Sequence, residues 1–129
     1  VRRGRKHETA AAKRARLDFY EEVLGKGGCR IPLPHKCSGP MDPCHVIPKS
    51  YLKWHARFDL KLPESEQLKC VWDARNGIPG CRNGHSMMDS PFHKVYMDDL
   101  PDEVFLFVDE YDCGWKFRSL YASRQAEAA

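Results

Sequence analysis

The sequence predicts an α+β fold: a small two-stranded core with helices on either side. Three observations lead there. Residues 8–24 are Ala-rich, free of Pro and Gly, and place Leu17, Tyr20, Val23 and Leu24 at helical spacing. Residues 101–111 repeat a helical pattern behind a proline. Between them the chain breaks into short apolar pieces separated by Pro, Gly and Asn, the punctuation of strands and turns.

In order, the first helix ends at Gly25, Gly27 and Gly28. Residues 29–43 read as a Pro-rich loop or knuckle bracketed by Cys29 and Cys37. Residues 44–47 are expected as a short strand ending at Pro48, and 50–60 as a short helix or ordered loop with Tyr51, Leu52, Trp54 and Phe58 packed in the core. Pro63 opens a helical turn, 70–73 are strand-like, 74–77 turn, and 78–81 form a second strand. A helix starts around Asn83 and carries His85, Met88 and Asp89, with Pro91 limiting its length. In the helix behind Pro101 the acids of the first turn suit the dipole, and Val104, Leu106, Phe107 and Val108 give its buried side. Residues 115–121 fit strand or helix, and the tail from Ala122 is expected to fray.

A length of 129 residues fits one compact domain with a basic arm or helix at 1–28, a core at 29–97 and a helical extension at 98–129. A core of that size is modest, and a metal staple would help it. No apolar run approaches membrane-spanning length, and the basic, polar start has no apolar signal region, so a cytoplasmic protein is expected. A first residue of Val rather than Met is expected of a processed or trimmed chain.

Net charge is +3, unevenly spread: residues 1–61 hold 14 Lys/Arg against 6 Asp/Glu, and residues 62–129 hold 7 against 12. A basic half suits a polyanion. Arg2, Arg3, Arg5 and Lys6 read equally as a solvated tail. Six cysteines stand at 29, 37, 44, 70, 81 and 113. Without a secretion signal, metal ligation or free thiols are expected rather than disulfides. Thiolates in tetrahedral array suit zinc.

One stretch carries chemistry. C-H-V-I-P-K-S at 44–50 is followed by R-N-G-I-P-G-C-R-N-G-H at 75–85. His45 titrates near neutrality and can take a proton from water. Asn76 donates and accepts at once, which suits pinning the loop that aims His45. His85 is an imidazole ligand for a divalent cation, which would offset charge built on a phosphate. Taken singly, each is an ordinary packed or surface residue; their order is what points to phosphodiester cleavage.

These residues, with Cys29, Cys37, W-D-A-R-N-G at 72–77 and C-R-N-G-H-S-M-M-D at 81–89, resemble the HNH family of ββα-metal nucleases over roughly half the chain. The wider layout is similar to small HNH proteins of tailed phages, which implies a bacterial host cell and partners such as a terminase or other packaging proteins. The resemblance implies a β-hairpin and helix holding a metal between them, with flanking helices and a structural zinc knuckle. It implies His45 as general base, Asn76 as loop-positioning residue and His85 as metal ligand. It also points to Asp89, one turn on, as a second ligand, a solvated helix acid being the alternative. Cys44 stands where the family often has a metal-binding Asp or His. Mg²⁺ or Mn²⁺ suits the Asp89 carboxylate, with Zn²⁺ or Ni²⁺ as further candidates. His93 is a weaker candidate ligand. Gly84 stands where a fourth zinc cysteine is often found, so Cys29, Cys37 and Cys81 need a partner from Cys44 or Cys70. Unmetallated thiols in an apolar core are the alternative. Cys113 is expected to pack.

The expected function is metal-dependent hydrolysis of DNA, nicking or cutting both strands. Lys49, Arg75 and Arg82 would sit near the cut phosphate, and Arg14 and Arg16 on the first helix. A noncatalytic zinc module binding nucleic acid, or a packaging accessory, is the competing reading.

Overall fold

A computed structural model describes residues 7–128 and shows an α+β fold of seven α-helices and one antiparallel pair of strands among them. The basic tail at Arg2, Arg3, Arg5 and Lys6 lies outside the described residues. Helix α1 (Ala10–Leu24) starts at Thr9, whose hydroxyl accepts from the Ala12 amide at 3.1 Å. It buries Phe19 and Val23.

Strand β1 (Met41–His45) pairs with β2 (Gly77–Cys81) in a register that runs from Met41 opposite Cys81 to His45 opposite Gly77. The first strand thus begins three residues before the expected position and ends at the histidine. Pro43 faces Pro79. Neither residue has an amide hydrogen to give, so this pair must occupy a position where the ladder asks for none.

Alternation gives the hairpin two faces. His45 and Gly77 look toward α1: a Cβ at residue 77 would fall 2.3 Å from Val23 Cγ2 and 2.8 Å from the Phe19 ring, so only glycine admits the helix. Asp42 and Cys44 look the other way, toward α4 (Arg82–Asp89), which leaves directly from β2.

Helix α2 (Lys49–Trp54) continues into a π turn, His55–Asp59, so residues 50–60 are helical. Helix α3 (Glu64–Val71) begins after Pro63 and takes in Cys70 and Val71, which were expected in a strand. A three-residue apolar run, Cys70 to Trp72, fits a helix end as well as a strand, and burial of both side chains on the helix decided it. Helices α5 (Asp102–Glu110) and α6 (Gly114–Leu120) follow, so residues 115–120 are helical and Tyr121 is the extended residue after them. Residues 124–128, expected to fray, form α7 (Arg124–Ala128), tied down by Arg124 to Asp99 at 2.6 Å and Lys94 to Glu127 at 2.7 Å.

The buried cluster joins Ile47, Leu52, Val71, Ile78, Val104, Phe107 and Phe117, so α2, α3, α5 and α6 close around one side of the hairpin. Lys26 at the end of α1 locks three elements together. Its ammonium donates to the Ala74 and Gly77 carbonyls and to Glu103. No helix of the described residues is long and apolar enough to cross a membrane.

Candidate functional site

Three groups of side chains sit on or beside the hairpin. The first is a cluster at the open end of the two strands. Cys29, His35, Cys37 and Cys81 bring one ligand atom each within 4.8 Å of one another. His35 Nε2 lies 3.5 Å from Cys29 Sγ and 3.4 Å from Cys37 Sγ. A tetrahedral ion at ordinary zinc bond lengths sets sulfur–nitrogen edges of about 3.6 Å, so the spacing already suits a bound metal. The imidazole is presented correctly too. Its Nδ1 donates to the Leu33 carbonyl at 2.6 Å, which leaves the lone pair on Nε2.

The electrostatics agree. Partial burial pushes the Cys81 thiol up, but the amides of Gly84 and Ser38 outweigh that and bring it down to about 6. Cys29 is also lowered: desolvation opposes, and the amides of Cys81 and Ile31 prevail. Cys37 is pushed up to about 11, first by its contact with Cys29. Crowded thiols resist a further negative charge, and a dication among them removes that resistance. This Cys₃His group can therefore hold a structural metal ion.

The fourth member is His35, not Cys70 or Cys44 as expected. Cys70 is buried in the core near Cys113, where burial pushes its thiol up to about 12. Gly84 explains the exchange. A Cβ at 84 would fall 2.7 Å from His35 Nε2, so the imidazole fills the space in which a side chain from α4 would otherwise stand. The sequence carries the signal as H-K-C at 35–37, a histidine two residues before a cysteine.

The second group surrounds the other end of β1. His45 Nε2 donates to the Val71 carbonyl at 2.9 Å, leaving Nδ1 with the lone pair. The ring stacks on Phe19 at 4.4 Å and meets the edge of Trp72 at 5.3 Å. Burial, helped by Lys49 and Lys53 and opposed by the Val71 carbonyl, pushes its pKa down to about 4. Asn76 is fully buried. Its Oδ1 accepts from the Ile47 amide at 2.8 Å, its Nδ2 donates to the Ile47 carbonyl at 3.0 Å, and its own carbonyl accepts from the Val46 amide at 2.8 Å. Three bonds thus clamp the two residues after His45.

On the opposite face, His85 Nδ1 lies 3.2 Å from Asp42 Oδ2 and its Nε2 3.3 Å from Asp89 Oδ2. Asp42, which sequence reasoning passed over, is held below the usual carboxylate range first by Arg82 and then by His85. A carboxylate on one ring nitrogen and a ligand position on the other is the usual dress of a metal-binding histidine. His85 Nε2 and Asp89 Oδ2 are close enough together for one cation to be shared between them. Cys44 does not join them. It is buried, with its thiol pushed up to about 12 first by burial and then by Asp42 and Asp89, and it donates weakly to the Asp42 carbonyl. His93 lies exposed beyond the end of α4.

The structure thus brings His45 to Asn76, and His85 to Asp42 and Asp89, but sets the two histidines on different faces of β1. Of the basic residues, Arg75 is bound to Asp73 at 2.7 Å and Glu110 at 2.8 Å, Arg82 to Asp42 at 3.1 Å and Arg16 to Glu8 at 2.9 Å. Arg14 and Lys49 are exposed and make no ion pair among the described residues. Comparison with family models, curated proteins and solved structures gives no match for this chain.

Proposed function

We propose that this chain is a metal-dependent endonuclease of the HNH type, hydrolysing DNA phosphodiester bonds. The observation that carries the reading is the setting of His45. Its Nε2–H is committed to the Val71 carbonyl, so Nδ1 is the basic nitrogen, and Asn76 fixes the loop that follows. The hairpin leading straight into α4, with His85 and Asp89 one turn apart, supports the same reading.

In this mechanism His45 Nδ1 takes the proton of a water whose oxygen attacks phosphorus. The new P–O bond forms as the bond to the 3′ oxygen breaks. Val71 and Asn76 hold the base in place and so reduce the motion needed to reach that geometry. His85 and Asp89, on the opposite face of β1 from His45, would hold a divalent cation, which would supply charge neutralisation to phosphate oxygens that reach that face. Asp42 orients His85 from the far nitrogen. The Cys₃His group is read as a structural zinc site that fastens the 29–37 loop to the start of α4.

A second reading, a metal-stabilised module that binds nucleic acid without cutting it, draws on the separation of His45 from His85 across β1 and on the surroundings of His45. His45 lies under Phe19 and is a weak base, with a pKa near 4. Plasmid cleavage with Mg²⁺ or Mn²⁺ separates the two. Cutting that requires a divalent ion and falls about a hundredfold or more in His45→Ala, with the fold intact, is the expected result. His45→Ala cutting like the parent, or a folded and metal-loaded parent that never cuts, would sink the nuclease reading.

A further inference from the structure

Helix α2 and its π turn expose a face that the core does not use. Lys49, Lys53 and Arg57 recur every four residues along it, and Lys61 follows. At helical rise that places neighbouring cations about 6 Å apart along the axis, the scale on which phosphates succeed one another on an extended strand. Among the described residues none of the four is in an ion pair with an acid, and Asp59, the acid within this run, is bound to His55 at 2.7 Å.

Beside the cations stand two aromatic rings expected in the core. Trp54 is 53% exposed and Phe58 54%, their centroids 6.1 Å apart. The Arg57 guanidinium lies 5.0 Å from the Phe58 ring. Large rings left in water beside unpaired cations are what a single strand needs: π faces for unstacked bases, charges for the backbone. A duplex hides those base faces and gives the rings nothing to stack on. The ridge also leads to the candidate active site. The Lys49 ammonium sits 5.5 Å over the Trp72 ring, whose edge meets His45. A groove of about 460 Å³ lies alongside, lined by Lys53, Arg57, Val71 and Trp72. Two acids also line it: Glu8, which is paired with Arg16, and Glu64.

We infer that the α2 face is a binding track for single-stranded DNA, with Trp54 and Phe58 as stacking platforms and Lys49, Lys53 and Arg57 as backbone contacts. The inference deepens the nuclease reading by naming an unpaired segment as the substrate class delivered toward His45.

The test is fluorescence anisotropy with a labelled oligothymidine of about twelve nucleotides and a blunt duplex of equal length. Mg²⁺ and Mn²⁺ are omitted, so binding is read without turnover. Failure of binding is thereby separate from failure of cleavage. The parent should prefer the single strand. Trp54→Ala with Phe58→Ala should weaken oligothymidine binding about tenfold or more, with duplex binding unchanged, while Trp54→Phe keeps most of it. Lys53→Glu with Arg57→Glu should weaken both ligands. Circular dichroism confirms that these surface variants fold. Equal oligothymidine binding by parent and the double alanine variant overturns the proposal, as does a parent that favours duplex. So does sedimentation showing that this face joins two copies of the chain, through a dimer lost in the alanine variant.

Discussion

Asn76 and His45 show how much of the site is set by single side chains. The Asn76 amide is fully buried and satisfied on both its atoms by Ile47. Asn76→Ala leaves the Ile47 amide and carbonyl without those partners in a dry place, at a cost of roughly 2–4 kcal/mol. The midpoint of denaturant unfolding should fall accordingly, and a stable Asn76→Ala would mean that the clamp is slack. His45 carries a pH signature. Its folded pKa is depressed to about 4 from an ordinary 6.5, so between those values the unfolded chain binds more protons than the folded one. Its contribution is therefore fully present above pH 6.5 and is lost as pH falls toward 4, by about 3 kcal/mol at most. The parent-minus-His45→Asn stability difference should shrink across that window, and a flat difference would show the ring to be solvated. The roles of His45 and Asn76 were proposed from residue order alone. Nothing in that order revealed the Val71 carbonyl that fixes the tautomer, because the partner is a backbone atom 26 positions away.

At the scale of elements, the knuckle at residues 29–37 and the start of α4 behave as one unit. Cys29 accepts from the Cys81 amide at 3.3 Å, Cys81 from the Gly84 amide at 3.2 Å, and Asn83 donates to the Lys36 carbonyl at 2.7 Å. A metal among the four ligands would clasp the loop onto the hairpin that carries both halves of the candidate active site. One metal per chain is expected by elemental analysis. Chelation should lower the melting temperature, and His35→Ala should release the metal. Gly84→Ala should weaken retention as well, since its Cβ would press on the His35 ring and on Ile31. A Gly84→Ala protein with full metal content would remove His35 from the set. Three of the four ligands were legible as cysteines, but the fourth depended on which residue the loop turns inward. The misassigned strand at 70–73 has a related cause: a short apolar run records burial, and only packing distinguishes helix from strand.

For the whole molecule, the basic first half and acidic second half were plain in the sequence, yet charge counted along a chain does not say which cations are free. Arg75, Arg82 and Arg16 face carboxylates, two of them supplied by residues more than thirty positions away, and such pairs already neutralise much of what a polyanion would seek. Three unpaired cations, Lys49, Lys53 and Arg57, line up instead on α2 and its π turn, a segment whose aromatics had suggested core. Its inner side is filled by Leu52, His55 and Ala56, so Trp54 and Phe58 are turned outward by helical geometry. The distribution predicts how affinity responds to salt. Single-strand binding loses about 0.7 of a logarithmic unit per tenfold rise in salt for each phosphate neutralised. Three contacts from Lys49, Lys53 and Arg57 then give a slope of about −2, and Lys53→Glu with Arg57→Glu should remove most of it. Arg75→Ala should leave the slope unchanged, because its guanidinium is already committed to Asp73 and Glu110. If Arg75→Ala flattened the salt dependence as much as the α2 variants, the ion pairs of the free protein would have to break on binding, and the strand would run along the hairpin rather than along α2.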